Sequence, residues 1–200
     1  MLRVELQWIK LIIQMKKIIA FEWLSLDGFI GGPKEETDWF VWNKEIEKFA
    51  KEFQNSIDTM LFGRTTYEVM VNYWPTPASS TEDPMITNFM NNTKKVVFSK
   101  TLKKVEWKNS TLHKEITPEE INKLKHEAGK DIIIYGSGSI VSQLMKLGLI
   151  DEFQIMINPV VLGKGKPLFQ NIEEKSSLKL LNTRAFTGGS VLLNFQTNKK

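Results

Sequence analysis

The chain has no cysteine and only two histidines, His113 and His126, in its 200 residues. The first absence excludes a disulfide framework, a thiolate metal site and a cysteine nucleophile. The second leaves a multi-histidine metal centre without ligands, so no metal is expected. A cysteine-free chain fits a reducing compartment, and a cytoplasmic location is expected. No apolar run approaches the roughly 18 residues of a membrane span, and no small-residue cleavage site marks a signal peptide. A concentrated basic stripe is also lacking. The formal net charge is +4, and the lysines fall in scattered pairs such as Lys16-Lys17, Lys94-Lys95, Lys103-Lys104 and Lys199-Lys200. Nucleic-acid binding needs a face of concentrated charge. Neither nucleic acid nor membrane is therefore an expected partner. An anionic small molecule needs only two or three positive groups and remains open.

What is present is ordinary globular composition, 42% apolar and 25% charged, in a chain long enough to bury a core without staples. In the opening stretch Leu2, Val4, Leu6 and Trp8 alternate, while Glu5, Gln7, Lys10 and Gln14 interrupt the apolar run. The domain proper is expected to begin at Met15. Residues 1–14 are then an N-terminal extension to a single domain over 15–200, and their apolar groups would need a partner such as a second subunit.

Residues 17–24 read as a buried strand, followed by a turn at Ser25-Leu26-Asp27-Gly28 and a loop through Gly31-Gly32-Pro33. Ile46, Phe49, Ala50, Phe53 and Ile57 recur at helical spacing, which predicts a helix over 44–57. A short strand over 58–63 comes next. Thr65 and Glu68 have the spacing of a capping box for a helix with Tyr67, Met70, Val71 and Trp74 on its apolar stripe. Residues 75–80 read as a loop, and Asp83-Pro84 opens another helix. Strands follow at 95–98 and 110–113. Thr117-Pro118-Glu119-Glu120 is a second capping box, with Ile116 and Ile121 as a hydrophobic staple and Gly129 closing the helix. Residues 131–135 form a continuous apolar strand, as in the middle of a covered sheet. Gly136-Ser137-Gly138-Ser139 leads into a helix carrying Ile140, Val141, Leu144 and Leu147. A long strand is predicted over 153–162, then a hairpin over 178–195 that turns at Gly188-Gly189. Helices and strands alternate and a hairpin follows, which predicts an α/β sandwich with a mostly parallel sheet, helices on both faces and an antiparallel edge.

Two strand-to-helix junctions share one physical design: Leu61-Phe62-Gly63-Arg64-Thr65-Thr66 and Ile134-Tyr135-Gly136-Ser137-Gly138-Ser139. In each, a strand ends in glycine and a helix begins. Free amides at a helix N-terminus bind phosphate, glycine admits a close backbone approach, and Arg64 adds a fork of donors. Two such junctions on one sheet suit a ligand with more than one phosphate, such as a dinucleotide. Each also serves as a simple turn and cap. Gly136-Ser137-Gly138 is not a full dinucleotide fingerprint, because the third glycine position is Val141; a standard Rossmann domain is disfavoured. Ser99-Lys100 is either a further phosphate contact or plain surface. Asp27 is either a turn residue or an active-site carboxylate. Gly163-Lys164-Gly165-Lys166 lacks the strand-before, helix-after context of a Walker loop.

Five segments come in a telling order: Ser25-Leu26-Asp27-Gly28-Phe29-Ile30, Gly63-Arg64-Thr65-Thr66-Tyr67-Glu68, Tyr135-Gly136-Ser137-Gly138-Ser139, Leu149-Ile150-Asp151-Glu152, and the run from Pro159 through Gly163-Lys164-Gly165-Lys166 to Phe169. This series resembles the dihydrofolate reductase-like superfamily and, within it, the RibD C-terminal domain family, the reductase part of riboflavin biosynthesis. The resemblance implies a three-layer fold with a central, mostly parallel mixed sheet, NADPH as cofactor, a small-molecule substrate and a homodimer. By that likeness Arg64 and Thr65, with Gly63, would contact cofactor phosphates. Ser99 and Lys100 would lie near the adenosine 2′-phosphate, and Gly136, Ser137, Gly138 and Ser139 would cradle the pyrophosphate. Ala20 and Ile30 would line the nicotinamide side, and Asp27 would sit on a mobile loop over the site. The proton for reduction would come from solvent or from a nearby acid, for which Asp27 is the candidate catalytic residue. Dihydrofolate reductases carry a carboxylate early in the first long helix, shortly after a tryptophan. Here Trp39 is followed by Phe40, Val41, Trp42, Asn43 and Lys44, with Glu45 next, a departure that puts folate reduction in doubt. The deaminase half of fused riboflavin enzymes is missing, and its zinc site needs cysteines.

The expected activity is NADPH-dependent reduction of a small heterocycle or sugar phosphate, by likeness 5-amino-6-(5-phosphoribosylamino)uracil. The alternatives are a nucleotide-binding protein of the same fold without turnover, a dihydrofolate reductase-like activity, and a nucleic-acid or interaction module that uses the lysine pairs and the apolar N-terminal extension.

Overall fold

The computed structural model describes residues 15–198. The expected extension at 1–14 lies outside the described residues. The elements are β1 (Ile18–Ser25), β2 (Phe29–Gly31), α1 (Lys44–Gln54), β3 (Ile57–Gly63), α2 (Arg64–Val71), α3 (Pro84–Asn92), β4 (Lys94–Phe98), β5 (Ser110–His113), α4 (Pro118–His126), β6 (Asp131–Tyr135), α5 (Gly138–Lys146), β7 (Glu152–Asn158), β8 (Lys166–Pro167), β9 (Leu178–Ala185) and β10 (Val191–Thr197). Eight strands form one sheet in the order β5-β4-β3-β6-β1-β7-β10-β9, and β2 and β8 form a separate two-stranded ribbon. The strands from β5 across to β7 run parallel, and β10 and β9 join antiparallel.

Alternation along each strand divides the core into two layers. Ile18, Ala20 and Leu24 of β1 pack on one face with Leu61, Ile132, Ile134 and Phe153, beneath Ile121 of α4 and Ile140, Val141 and Leu144 of α5. Ile19 and Phe21 pack on the other with Met60, Phe62, Ile133 and Met156, beneath Ile46 of α1, Tyr67 of α2 and Ile86 and Met90 of α3. The three-layer α/β architecture read from the alternation of elements is the one observed. No helix of the described residues is long and apolar enough to cross a membrane.

Several local expectations are corrected. Helix α1 ends at Gln54 rather than residue 57, because Ser56 Oγ donates to the Phe53 carbonyl at 2.7 Å and the chain turns into β3. Ile57 is buried as the first residue of that strand. Thr65 is not a cap: helix α2 begins at Arg64 with Gly63 at the cap position and no side-chain cap bond. Residues 77–81 form a 3-10 turn rather than a loop. Strand β7 stops at Asn158 instead of running to 162, since Pro159 has no amide to donate. Residues 29–31, read as loop, pair with β8. The second capping box is half made. Thr117 Oγ1 accepts from the Glu120 amide at 3.2 Å, while the Glu120 carboxylate is 2.8 Å from His113 Nδ1 instead of reaching back.

Candidate active site

Strands β3 and β6 are neighbours, yet the helices that follow them leave toward opposite faces of the sheet. A crevice opens at the carboxyl ends of strands wherever this happens, and ligands of open α/β sheets bind there. The two glycine junctions noted in the sequence are the two lips of this crevice. The first amides of α2 and α5 have no carbonyl within their own helices to bond, and both helix dipoles aim positive ends at the crevice. At the second lip, Gly136 and Ser137 are both left-handed, with φ of +56° and +81°. A serine in that region costs about 1 kcal/mol. Ser137 is followed by Gly138, the first residue of α5, and a left-handed residue followed by a right-handed one forms the concave nest of amides that binds anions. Ser137 and Ser139 place their hydroxyls 3.1 Å apart. A Cβ on Gly138 would stand 3.0 Å from the Leu168 carbonyl, so the backbone there is already close-packed from behind.

The cleft has two compartments. The first, about 590 Å³, is lined by Gly63, Arg64 and Thr65 of the first junction, Ser137, Gly138 and Ser139 of the second, and Ser99 and Lys100 after β4. Lys114, Gln143 and Gln170 line it as well and were not anticipated. Lys100 pairs with Glu115 at 3.2 Å on the surface. Ser99 Oγ accepts from the amides of Thr101 and Leu102, shaping the turn it sits on. Arg64 is exposed and pairs with no carboxylate among the described residues. Its five donors remain for a ligand.

The second compartment, about 500 Å³, has aromatic walls: Phe21, Trp23, Phe40, Trp42, Phe49 and Trp74. Trp23 lies 5.2 Å from Phe40 and 6.0 Å from Trp42, ring centre to ring centre. Ile30 and Gly136 line this side. Its polar side chains include Glu22, Gln54 and Tyr135. Glu22 is 2% exposed, and its Oε1 has no hydrogen-bond partner; Gln54 Oε1 has none either. Burial holds the Glu22 carboxyl well above its ordinary pKa, in the protonated direction. Burial pushes the Tyr135 phenol up to about 12, with the Gln54 side chain pulling slightly the other way. Thr65, Thr66, Ser137 and Lys166 line both compartments, so the two are continuous.

Three candidates sit elsewhere. Ala20 is fully buried in the core between β6 and β7, and its side chain lines neither compartment. Asp27 is exposed on the turn before β2 and also lines neither. Its carboxylate accepts from the Gly163 amide at 2.7 Å and the Leu162 amide at 3.1 Å. A hydrogen bond with Ser25 and those two amides hold it below its ordinary pKa, the direction of a stable carboxylate rather than an acid. Glu45 accepts from the amide and hydroxyl of Thr187, pairs with Arg184 and lines neither compartment. Sequence reasoning missed Glu22. The signal was present: it is the one charged residue inside an otherwise apolar buried strand, where a carboxylate is costly. Among the described residues no group of three side chains could hold a metal ion.

The family model for the RibD C-terminal domain matches residues 16–192. The YyaP protein of Bacillus subtilis (strain 168), itself uncharacterized, is 36% identical over 186 residues, covering 93% of this chain and 97% of its own. A Shewanella sp. PV-4 protein, provisionally described as a riboflavin biosynthesis protein, superimposes with a TM-score of 0.75 at 21% identity over 91% of this chain and 99% of that one. Enterococcus faecalis dihydrofolate reductase, solved with NADP(H), superimposes with a TM-score of 0.60 at 17% identity over 91% and 96%. These two structures establish the shared dihydrofolate reductase-like fold, and the sequence match establishes the closer kinship: the chain belongs to the RibD C-terminal domain family.

Proposed function

We propose that the protein is an NADPH-dependent reductase of a small heterocyclic substrate. One observation carries the reading: a cleft lined by anion-binding groups opens directly into an aromatic compartment. A dinucleotide whose phosphates bind in the first compartment can extend its ring toward the second. The residues present fit NADPH. Two helix N-termini and the nest at Ser137 and Gly138 suit a pyrophosphate, and Arg64 with Lys100 suits a further phosphate. NADPH supplies a hydride when bound. The chain's own part is to hold the phosphates at Arg64 and the Ser137–Ser139 turn, to wall the ring off from water with Trp23, Phe40 and Trp42, and to present polar groups at Glu22, Gln54 and Tyr135.

By family likeness the substrate is 5-amino-6-(5-phosphoribosylamino)uracil, reduced at the ribose C1 carbon in its imine or aldehyde form. Among the residues lining the second compartment, Lys166 is the one cation available to a sugar phosphate, and it is paired with Glu35 at 2.8 Å. A homodimer in the cytoplasm belongs to the same reading. Strand β9 forms a sheet edge on which Leu180 and Leu181 are exposed, a surface a second copy would cover. The test follows NADPH absorbance anaerobically with that pyrimidine and with dihydrofolate. Consumption of NADPH with a substrate supports the reading. Tight NADPH binding with no consumption across the panel supports a nucleotide-binding protein without turnover.

A further inference from the structure

Glu22 is unexplained by phosphate binding and by folding. It is 2% exposed on the central strand β1 between Phe21 and Trp23, and its Oε1 has no partner. Leaving a buried polar group unsatisfied costs about 1–3 kcal/mol. That cost offsets nothing in the fold. On the neighbouring strands, Glu22 is registered against Ile155 of β7, and the preceding Phe21 against Tyr135 of β6. It lines the aromatic compartment, which is where the substrate belongs if the reductase reading holds.

We propose that Glu22 is the catalytic acid, a neutral carboxylic acid on the central strand that donates a proton to the heteroatom of the substrate bond being reduced. The proposal rests on the reductase reading and deepens it. The substrate class is a flat molecule with a C=N or C=O bond that is uncharged where it meets Glu22, since three carboxyls and a single paired lysine line this compartment. The carbon of that bond gains the hydride. Its π pair moves to nitrogen or oxygen, which takes the proton from Glu22. The carboxylate left behind recovers a proton from solvent, and the nicotinamide leaves oxidised.

The other titratable groups on the same compartment do not offer this chemistry. Glu35 is neutralised by Lys166 at 2.8 Å. Glu82 is occupied by the Tyr73 hydroxyl at 2.5 Å. Tyr135 is held above the working pH range of a general acid near neutrality. Asp27, the candidate acid of the sequence analysis, is bonded to two amides outside the compartment. Burial supplies Glu22 with the raised pKa that an acid needs to keep its proton near neutral pH.

Two measurements test the proposal. The first is the infrared difference spectrum of the wild type against Glu22→Gln at neutral pH. A protonated-carboxyl band present in the wild type and missing from the variant is expected; a carboxylate band in its place overturns the proposal. Titrating the wild type alone gives the same answer should the variant fold poorly. The second is the single-turnover rate of NADPH-saturated protein with the substrate found by the screen above. Glu22→Gln is expected to slow it by about 10²–10⁴-fold with NADPH affinity unchanged. The wild-type rate should fall as pH rises through the Glu22 pKa, and the variant's rate should not. A variant with the wild-type rate and pH profile overturns the proposal. Failure of the reductase reading looks different: neither protein binds NADPH, while the infrared band still reports the state of Glu22.

Discussion

Gly63 and Ser137 abut across the crevice between β3 and β6. A methyl group at residue 63 would overlap the Ser137 hydroxyl and stand 3.3 Å from Ile140 Cγ1. The two helix N-termini that flank the crevice are therefore set against each other, and the position of one fixes the position of the other. Gly63 has φ −83° and ψ 170°, a conformation any residue adopts, so the glycine is required by close approach and not by backbone strain.

Gly63→Ala is accordingly expected to push the first turn of α5 away from β3. Over-packing of this kind costs about 1–3 kcal/mol. NADPH affinity should fall by about tenfold or more, because the nest at Ser137 moves with the helix. Thermal melting and calorimetric titration of the variant would separate the two effects.

Arg64→Ala should weaken NADPH binding by about 10–100-fold, the range of one to two charge-assisted hydrogen bonds lost. Lys100→Ala should cost less, since Lys100 is already paired with Glu115 on the surface. Titrations at two salt concentrations check this: the wild-type affinity should be the more salt-sensitive, and the Arg64 variant the less.

Much of this was legible in the sequence because it rests on local signals. Apolar runs and glycine punctuation marked the strands, and the residues of both glycine junctions fall on the lips of one crevice. The aromatic compartment was not legible as a unit, because Trp23, Phe40, Phe49 and Trp74 come from four separate segments whose meeting depends on tertiary packing. Helix α1 was read three residues too long because Ile57 continues the helical spacing, although the residue belongs to the next strand. Glu22 is not legible as a site residue from the sequence alone, because a single charge in an apolar run keeps the strand pattern, and only burial in the folded chain raises its pKa.

The burial of Glu22 predicts how stability changes with pH. Its folded pKa is raised above the ordinary 4.5, so the folded state binds more protons than the unfolded one. The stability this group allows is fully present below 4.5 and is lost as pH rises through the folded value. Denaturant unfolding of the wild type should show that decline, and Glu22→Gln should lack it. Above the folded pKa the variant should be the more stable protein.

Asp27 shifts the other way. Its carboxylate ties the segment at Leu162 and Gly163 to the turn before β2. Asp27→Asn should speed hydrogen exchange at the Leu162 and Gly163 amides at neutral pH. In the wild type the same protection should persist at and above the ordinary carboxylate value of 3.8 and disappear as pH falls through the lowered pKa.

Titration of the purified protein with NADPH and, in parallel, NADH tests the cofactor cleft most directly. Trp23, Trp42 and Trp74 line the compartment next to the proposed phosphate site, so quenching of tryptophan emission reports occupancy. Saturable NADPH quenching at micromolar concentration, at least tenfold tighter than NADH, is the predicted result. The absence of saturable quenching and of calorimetric binding by either nucleotide would contradict the account and leave the family kinship as a statement about the fold.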